Sequence, residues 1–329
     1  MINPIEKKEG ETVKCSDRFE LFLVPIDKYE SLLNSIRNNS FKIKKLIAKL
    51  PGIASDKFFD QILFNEIKGT NDIENVASTT EKINKAIDNK DNDDKKIRFK
   101  SFAKMYFSIK EGKVNRINKL QDVRDLYDFL LEGEIPKKKL PDGKLFRAGF
   151  VRIGTSTKTV HFPETSEQGI DEQLNNWIMF INEDKYDSIL KACVAHYYFE
   201  YIHPFYDGNG RLGRYIFCSY IGKKLDPYTA LSFSYQVNLK KINYYKGFEE
   251  VENKKNKGEL TFFVITLLKY LVSGQKYVLQ ELETSKAVLD FIGDKLAQSK
   301  FSDFESSVLF VYSQVFSSTL LIEILRMMR

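Results

Sequence analysis

Twelve residues, His203-Pro-Phe-Tyr-Asp-Gly-Asn-Gly-Arg-Leu-Gly-Arg214, constrain this chain more tightly than any other stretch of it. Before them, Ile189, Ala192, Cys193, His196 and Tyr197 mark one face of a helix. Pro204 disfavours helical geometry at the residue before it, so that helix is predicted to stop near His203, with His203 itself extended. Gly208 and Gly210 can both adopt positive φ, which lets successive backbone N–H groups converge on one anion. A second helix is predicted over 211–224, its positively polarised start facing the same spot. The pattern therefore specifies helix, tight turn and helix, with an anion-binding concavity between them.

Arg211 and Arg214 fall on one side of that second helix's first turn. Cations there oppose the helix dipole at about 0.3–1 kcal/mol each. Salt bridges to nearby acids would account for the arginines alone; a phosphate accounts for the arginines and the glycines together. Asp207 would repel that phosphate unless a cation bridged them, as Mg²⁺ does when one or two carboxylates and phosphate oxygens share it. His203 lies beside this nest, where a neutral imidazole can accept a hydroxyl proton near pH 7. The chemistry these groups support is in-line attack of a hydroxyl on an α-phosphorus, with pyrophosphate leaving.

Three other readings are excluded. Gly208-x-Gly210-x-x-Gly213, with Asp226 downstream, spells the dinucleotide fingerprint, but that fingerprint needs a preceding strand and here the preceding segment has helical period. No phosphate loop of the Gly-x-x-x-x-Gly-Lys-Ser/Thr type occurs. His161, His196 and His203, the three histidines, lack the spacing of zinc ligands; His196 reads as a core residue and His161 as part of a hairpin.

Most of the remaining chain has helical spacing, predicted over 29–50 (ended by Pro51-Gly52), 57–67, 120–131, 258–271, 277–296 and 304–328. Asp88 to Lys96 has no apolar face and is predicted to be an exposed connection. Only Val151 and Ile153, then Val160 and Phe162, alternate as strands, around Gly154 to Thr157. The predicted class is all-α with one β-hairpin. At 329 residues, 43% hydrophobic and 29% charged, the chain reads as a soluble globular protein of one large domain or two to three small ones. A net charge of +6 without a long basic block gives no case for nucleic acid. Cys15, Cys193 and Cys218 are odd in number and unpaired in spacing, which suits free thiols in a reducing, cytoplasmic setting. The N-terminus lacks a signal-peptide core, and polar breaks in 308–328 argue for a packing helix rather than a membrane span.

The 203–214 motif resembles that of the Fic family, His-Pro-Phe-x-Asp/Glu-Gly-Asn-Gly-Arg-x-x-Arg, at every specified position. The lead-in Ala195 to Ile202 also resembles the family, and the likeness spans roughly 120–271. The resemblance implies a helical core and transfer of AMP from ATP to a Ser, Thr or Tyr hydroxyl of a target protein. It makes His203 the base, Asp207 the Mg²⁺ ligand, Gly208, Asn209 and Gly210 the anion hole, and Arg211 and Arg214 the holders of the β- and γ-phosphates. Residues 145–162 resemble the flap that binds a target by strand-like pairing, and Tyr244-Tyr245 an aromatic pair near the adenine or ribose. Thr70-Asn-Asp-Ile-Glu74-Asn75 is similar to the family's inhibitory pattern Ser/Thr-x-x-x-Glu-Gly/Asn, and Glu66 and Ile73 extend the match. That implies Glu74 pairing with Arg214 in the room of the γ-phosphate.

The expected layout is an N-terminal helical region with the inhibitory motif over 1–97, a Fic core over 98–275 and a C-terminal helical segment over 276–329. The last resembles the opening helices of a winged-helix module, with DNA binding not expected and a homodimer left open. An autoinhibited AMP transferase is the leading expectation. Removal of AMP through the same site, or a silent nucleotide-binding regulator, are the alternatives.

Overall fold

In the computed structural model, residues 5–8, 11–14, 18–92, 97–154 and 159–315 are described. The chain opens with an antiparallel pair, β1 (Ile5–Lys8) and β2 (Glu11–Lys14). Four helices follow: α1 (Asp27–Ile47), α2 (Gly52–Ile73), α3 (Thr80–Asp88) and α4 (Lys100–Lys110). After α5 (Leu120–Leu130) come the short strands β3 (Ile153–Gly154) and β4 (Thr159–His161). Then α6 (Glu167–Asn182), α7 (Ser188–Ile202) and α8 (Asn209–Lys224) form the centre. The chain continues through α9 (Pro227–Ala230), α10 (Phe233–Leu239), α11 (Lys241–Val251), α12 (Thr261–Ala297) and α13 (Asp303–Val315).

The helical class with a small β flap is as expected. β3 and β4 pair antiparallel, Ile153 opposite His161 and Gly154 opposite Thr159, with an irregularity between Ile153 and Gly154. Positions 155–158 of the predicted hairpin, Cys15 and 316–328 of the predicted last helix lie outside the described residues. The β1–β2 ladder was not expected, because its sequence is dominated by charged residues rather than by apolar alternation.

Position in the core explains the helices. α7 carries apolar residues all round, the pattern of a helix with no solvent face. It packs against α6, α8 and α12, and the Trp177 indole of α6 donates to the Ala195 carbonyl at 2.8 Å. Each large apolar side chain buried this way contributes about 1.5–3 kcal/mol over leaving it exposed. Asp187 caps α7 by accepting from the N–H groups of Ile189 and Leu190.

α12 corrects the sequence expectation of separate helices ending near Leu271 and starting near Tyr277. It is one 37-residue helix, and position 276 lies inside it. Gly274 is not a break: a Cβ there would come within 2.1 Å of Ser232 Oγ, so the glycine lets the chain between α9 and α10 approach the helix. The neighbouring Gln275 donates to Ile36 O and to Thr229 Oγ1 at 2.8 and 3.0 Å. By length and composition α12 is apolar enough to cross a membrane; Val264, Leu267, Leu268, Leu271, Val278 and Leu282 bury it in the core instead. Pro51 ends no more than a turn, because α2 starts at Gly52 and runs to Ile73, longer than the expected 57–67 at both ends.

Candidate active site

The turn between α7 and α8 is built from its own side chains. Phe205 points inward, stacked on Tyr127 of α5 with ring centroids 3.7 Å apart. Asn209 closes the loop: its Oδ1 accepts from Phe205 N at 2.9 Å and its Nδ2 donates to Phe205 O at 2.8 Å. Its side chain thus serves the loop, and what it offers an anion is its backbone N–H, one of the first-turn donors with no intrahelical acceptor. Gly208 has φ +86°, and a Cβ there would lie 2.3 Å from Leu131 Cδ1. Gly210 is helical, which corrects the expectation of positive φ at both glycines. Its bare Cα instead admits a carboxylate, since a Cβ at 210 would sit 2.2 Å from Glu74 Oε1.

His203 corrects a second expectation. It is left-handed, φ 51° and ψ 61°, not extended. Its N–H still donates to Phe199 O at 3.1 Å, so it closes the last turn of α7. The ring's Nδ1 faces the Glu200 carbonyl at 3.3 Å. A carbonyl only accepts, so Nδ1 carries the hydrogen and Nε2 keeps its lone pair. Burial first, then the Arg147 guanidinium and His161, push the imidazole down to about 3. At neutral pH the ring is uncharged.

Across the turn, Arg214 is fully buried. Its Nε donates to Thr70 Oγ1 at 2.9 Å, and its Nη2 to Thr70 O at 3.2 Å and to Glu74 Oε1 at 2.8 Å. Burial alone would lower the Arg214 pKa, but Glu74, then Tyr244 and Glu200, overcome it and hold the guanidinium firmly charged. Glu74 sits at the C-cap of α2, and Asn75 after it turns left-handed. Arg211 is also buried, yet its Nε and Nη1 meet no acceptor among the described residues, and Nη2 stands 3.7 Å from Asp207 Oδ1. Asp207 in turn accepts from Lys139 Nζ at 2.5 Å.

The structure thus brings Thr70, Glu74, Gly210 and Arg214 into one contact set, with Arg211 and Asp207 beside it and His203 across the turn. Asn75 is separate, its side chain accepting from Lys241 Nζ at 3.1 Å. Tyr244 is core, its hydroxyl 2.7 Å from His196 Nε2. Tyr245 donates to Ile73 O at 3.2 Å and so holds the end of α2. The expected core place of His196 is observed; burial and then Arg214 push its pKa to about 3.

Four residues escaped sequence reasoning as site residues. Arg147 donates to the His203 carbonyl. Lys139 pairs with Asp207. Lys241 donates to Asp72 O and Asn75 at the end of α2. Glu200 lies against Gly213, whose added Cβ would fall 2.1 Å from its Oε1. Burial, opposed by Arg214 and reinforced by Glu74, pushes that carboxyl up to about 8. No spacing rule marks an isolated Arg or Lys; Glu200 alone stood inside the recognised lead-in. Glu66, noted as an extension of the inhibitory pattern, anchors α2 from within. It accepts from Ser234 N at 2.7 Å and Ser234 Oγ at 2.5 Å, with Cys218 and Tyr106 as further donors.

Residues 117–221 match the Fic/DOC family. The chain carries a Fic/DOC family domain built around the α7–α8 turn. Among solved structures, it is similar to a Fic family protein from Desulfovibrio desulfuricans (TM-score 0.60, 18% identity, covering 80% of this chain and 77% of that one). It is similar also to a Fic domain containing signaling protein from Bacteroides thetaiotaomicron (0.54, 15%, 76% and 98%). Fic-1 from C. elegans is a third (0.52, 16%, 78% and 72%). At these identities the likeness is one of fold, and it extends well beyond the matched 105 residues into the flanking helices.

Proposed function

We propose that this chain transfers AMP from ATP to a Ser, Thr or Tyr hydroxyl of a protein target, itself included, and that Glu74 holds the transfer in check. A Fic/DOC domain supports nucleoside-monophosphate transfer to protein in general. The observation that carries the finer reading is the first turn of α8, where Nε and Nη1 of buried Arg211 lack acceptors and, among the described carboxylates, Glu74 is the one paired with Arg214. At the positive end of a helix, a buried guanidinium with two nitrogens lacking acceptors has unused capacity for an anion. A polyphosphate supplies the missing acceptors.

In this reading the β- and γ-phosphates lie on Arg211 and Arg214, over the N–H groups that open α8. Arg214 can reach a γ-phosphate only after giving up Glu74, so an intact pair leaves the α-phosphorus out of line. His203 Nε2 accepts the target hydroxyl's proton as that oxygen attacks the α-phosphorus, and pyrophosphate departs along the arginines. Phosphate charge entering beside the ring raises its pKa from the depressed resting value towards the working pH. Among the described residues no three or more His, Cys, Asp or Glu side chains gather around a metal position. Asp207 is a single carboxylate at the phosphate side, a donor set that fits Mg²⁺ shared with phosphate oxygens. Asp207 would hold that ion in exchange for Lys139, and the ion would neutralise phosphate charge. The target's extended segment would pair along the flap over 145–162.

The test is labelling of purified wild type, Glu74→Gly and Glu74→Gly/His203→Ala with radioactive ATP and Mg²⁺. Strong label on Glu74→Gly alone is the expected result. Equal label on wild type and Glu74→Gly would remove the inhibitory role, and label on none would remove the transferase.

A further inference from the structure

The last carbonyls of an α-helix have no donors within the helix, and at α7 the flap meets one of them and two carbonyls just beyond. Tyr201 O faces His161 Nε2 at 2.8 Å. His203 O accepts from Arg147 Nε at 2.8 Å, and Pro204 O from Arg147 N at 3.1 Å. Arg147 is wholly buried on the limb entering the flap, with Nη1 also donating to Gly149 O at 2.8 Å. His161 ends β4, the returning limb. Its Nδ1 lies 3.2 Å from Glu252 Oε2, and Glu252 Oε1 accepts from Tyr197 OH at 2.6 Å. A carbonyl only accepts, so His161 Nε2 carries the hydrogen and donates to Tyr201 O. Between these two anchors sits a non-glycine residue in the left-handed region immediately before a proline. Such a backbone persists only where its surroundings over-determine it.

We propose that Arg147 and His161 are positioning residues: the flap that receives the target also clamps the last turn of α7 and so fixes the orientation of His203. The proposal rests on the transferase reading for its catalytic consequence, but not for the clamp itself. Seating a target on the flap and aligning the base are then mechanically coupled. The charged and titratable groups that face the His203 ring are Arg147 and His161 from the flap and Asp207 from the turn, with the Glu200 carbonyl from its own helix.

With only three histidines in the chain, each imidazole can be followed by NMR in the full-length, histidine-labelled protein. Arg147→Met removes the charge and the side-chain donors while keeping an unbranched apolar stem. Its His203 resonance should titrate about one pH unit higher or more than in wild type, whereas Arg147→Lys stays close to wild type. In the Glu74→Gly background, Arg147→Met should lower kcat for self-modification on the order of 100-fold, with KM for ATP within about twofold. If Arg147→Met loses its helical circular dichroism, Arg147→Gln, neutral but still a donor, carries the same titration test. An unshifted His203 titration and unchanged kcat in a folded neutral variant overturn the clamp and leave the transferase standing. A shifted titration together with displaced backbone resonances at residues 201–204 in Arg147→Met, with no transfer by any variant, supports the clamp and removes the transferase reading.

Discussion

Two buried arginines flank the α7–α8 turn, and their surroundings are opposite. Arg147 stands at the C-terminal end of α7, where helix carbonyls accept and the dipole favours a cation. Arg211 stands at the N-terminal end of α8, where backbone N–H groups converge and the dipole opposes one, and two of its nitrogens have no acceptor. On the His203 side Arg147 donates through Nε and Nη1 to backbone carbonyls, and only Nη2 has no acceptor among the described residues. On the α8 side, among the same residues, Arg211 has no acceptor closer than Asp207 at 3.7 Å, and Glu74 reaches Arg214 instead. A folded chain tolerates such an imbalance where a ligand is to correct it.

The contrast can be broken from either side. The largest effect is expected at the base: His203→Ala in Glu74→Gly protein should cost on the order of a thousandfold in transfer rate, measured by label incorporation. Retention of more than about a tenth of the rate would show that the ring is not the base. Next comes Arg211→Met, which should weaken nucleotide binding by about 10–100-fold in calorimetry. The same change should stabilise the nucleotide-free protein by about 1 kcal/mol, because it removes a desolvated cation whose one ion pair, to Asp207, is long and whose Nε and Nη1 lack acceptors. A loss of stability would mean that Arg211 is already satisfied.

Glu66 sharpens the comparison from behind Arg214. Burial, only partly offset by Ser234 and Cys218, raises its carboxyl to about 7 from an ordinary 4.5. Across that interval the folded protein holds a proton that the unfolded chain has released. The associated stability is fully present below about pH 4.5 and is lost as pH rises through about 7. Glu66→Gln never ionises, so its stability should rise relative to wild type between about pH 5 and 8, by up to about 3 kcal/mol. Denaturant melts at the two pH values check this, and a constant difference would contradict it.

The motif was legible because its glycines, arginines and histidine are specified by spacing within one loop and one turn. Glu74 was legible through the same kind of local pattern, and its contact with Arg214 across 140 positions followed from the resemblance. What escaped was whatever depends on distant packing. His203 reads as extended from Pro204 alone; the flap's hydrogen bonds to the α7 carbonyls hold it left-handed instead. The periods over 258–271 and 277–296 read as two helices, yet they are one, with Gly274 inside it against Ser232. Arg147 carries no local signal at all, since its role exists only once the flap lies against α7. Tyr244 and Tyr245 look alike in sequence, and tertiary contacts send one hydroxyl to His196 and the other to the end of α2.

Glu74 is proposed to take the place of one particular phosphate, and the most direct measurement is the affinity for ATP against that for ADP, each with Mg²⁺, in wild type and Glu74→Gly. ADP lacks the γ-phosphate, so its Kd should be nearly the same in both proteins, while ATP should bind Glu74→Gly about 5–150-fold more tightly than wild type. Equal gains for both nucleotides, or none for either, would contradict the placement of Glu74 in the γ-phosphate's position.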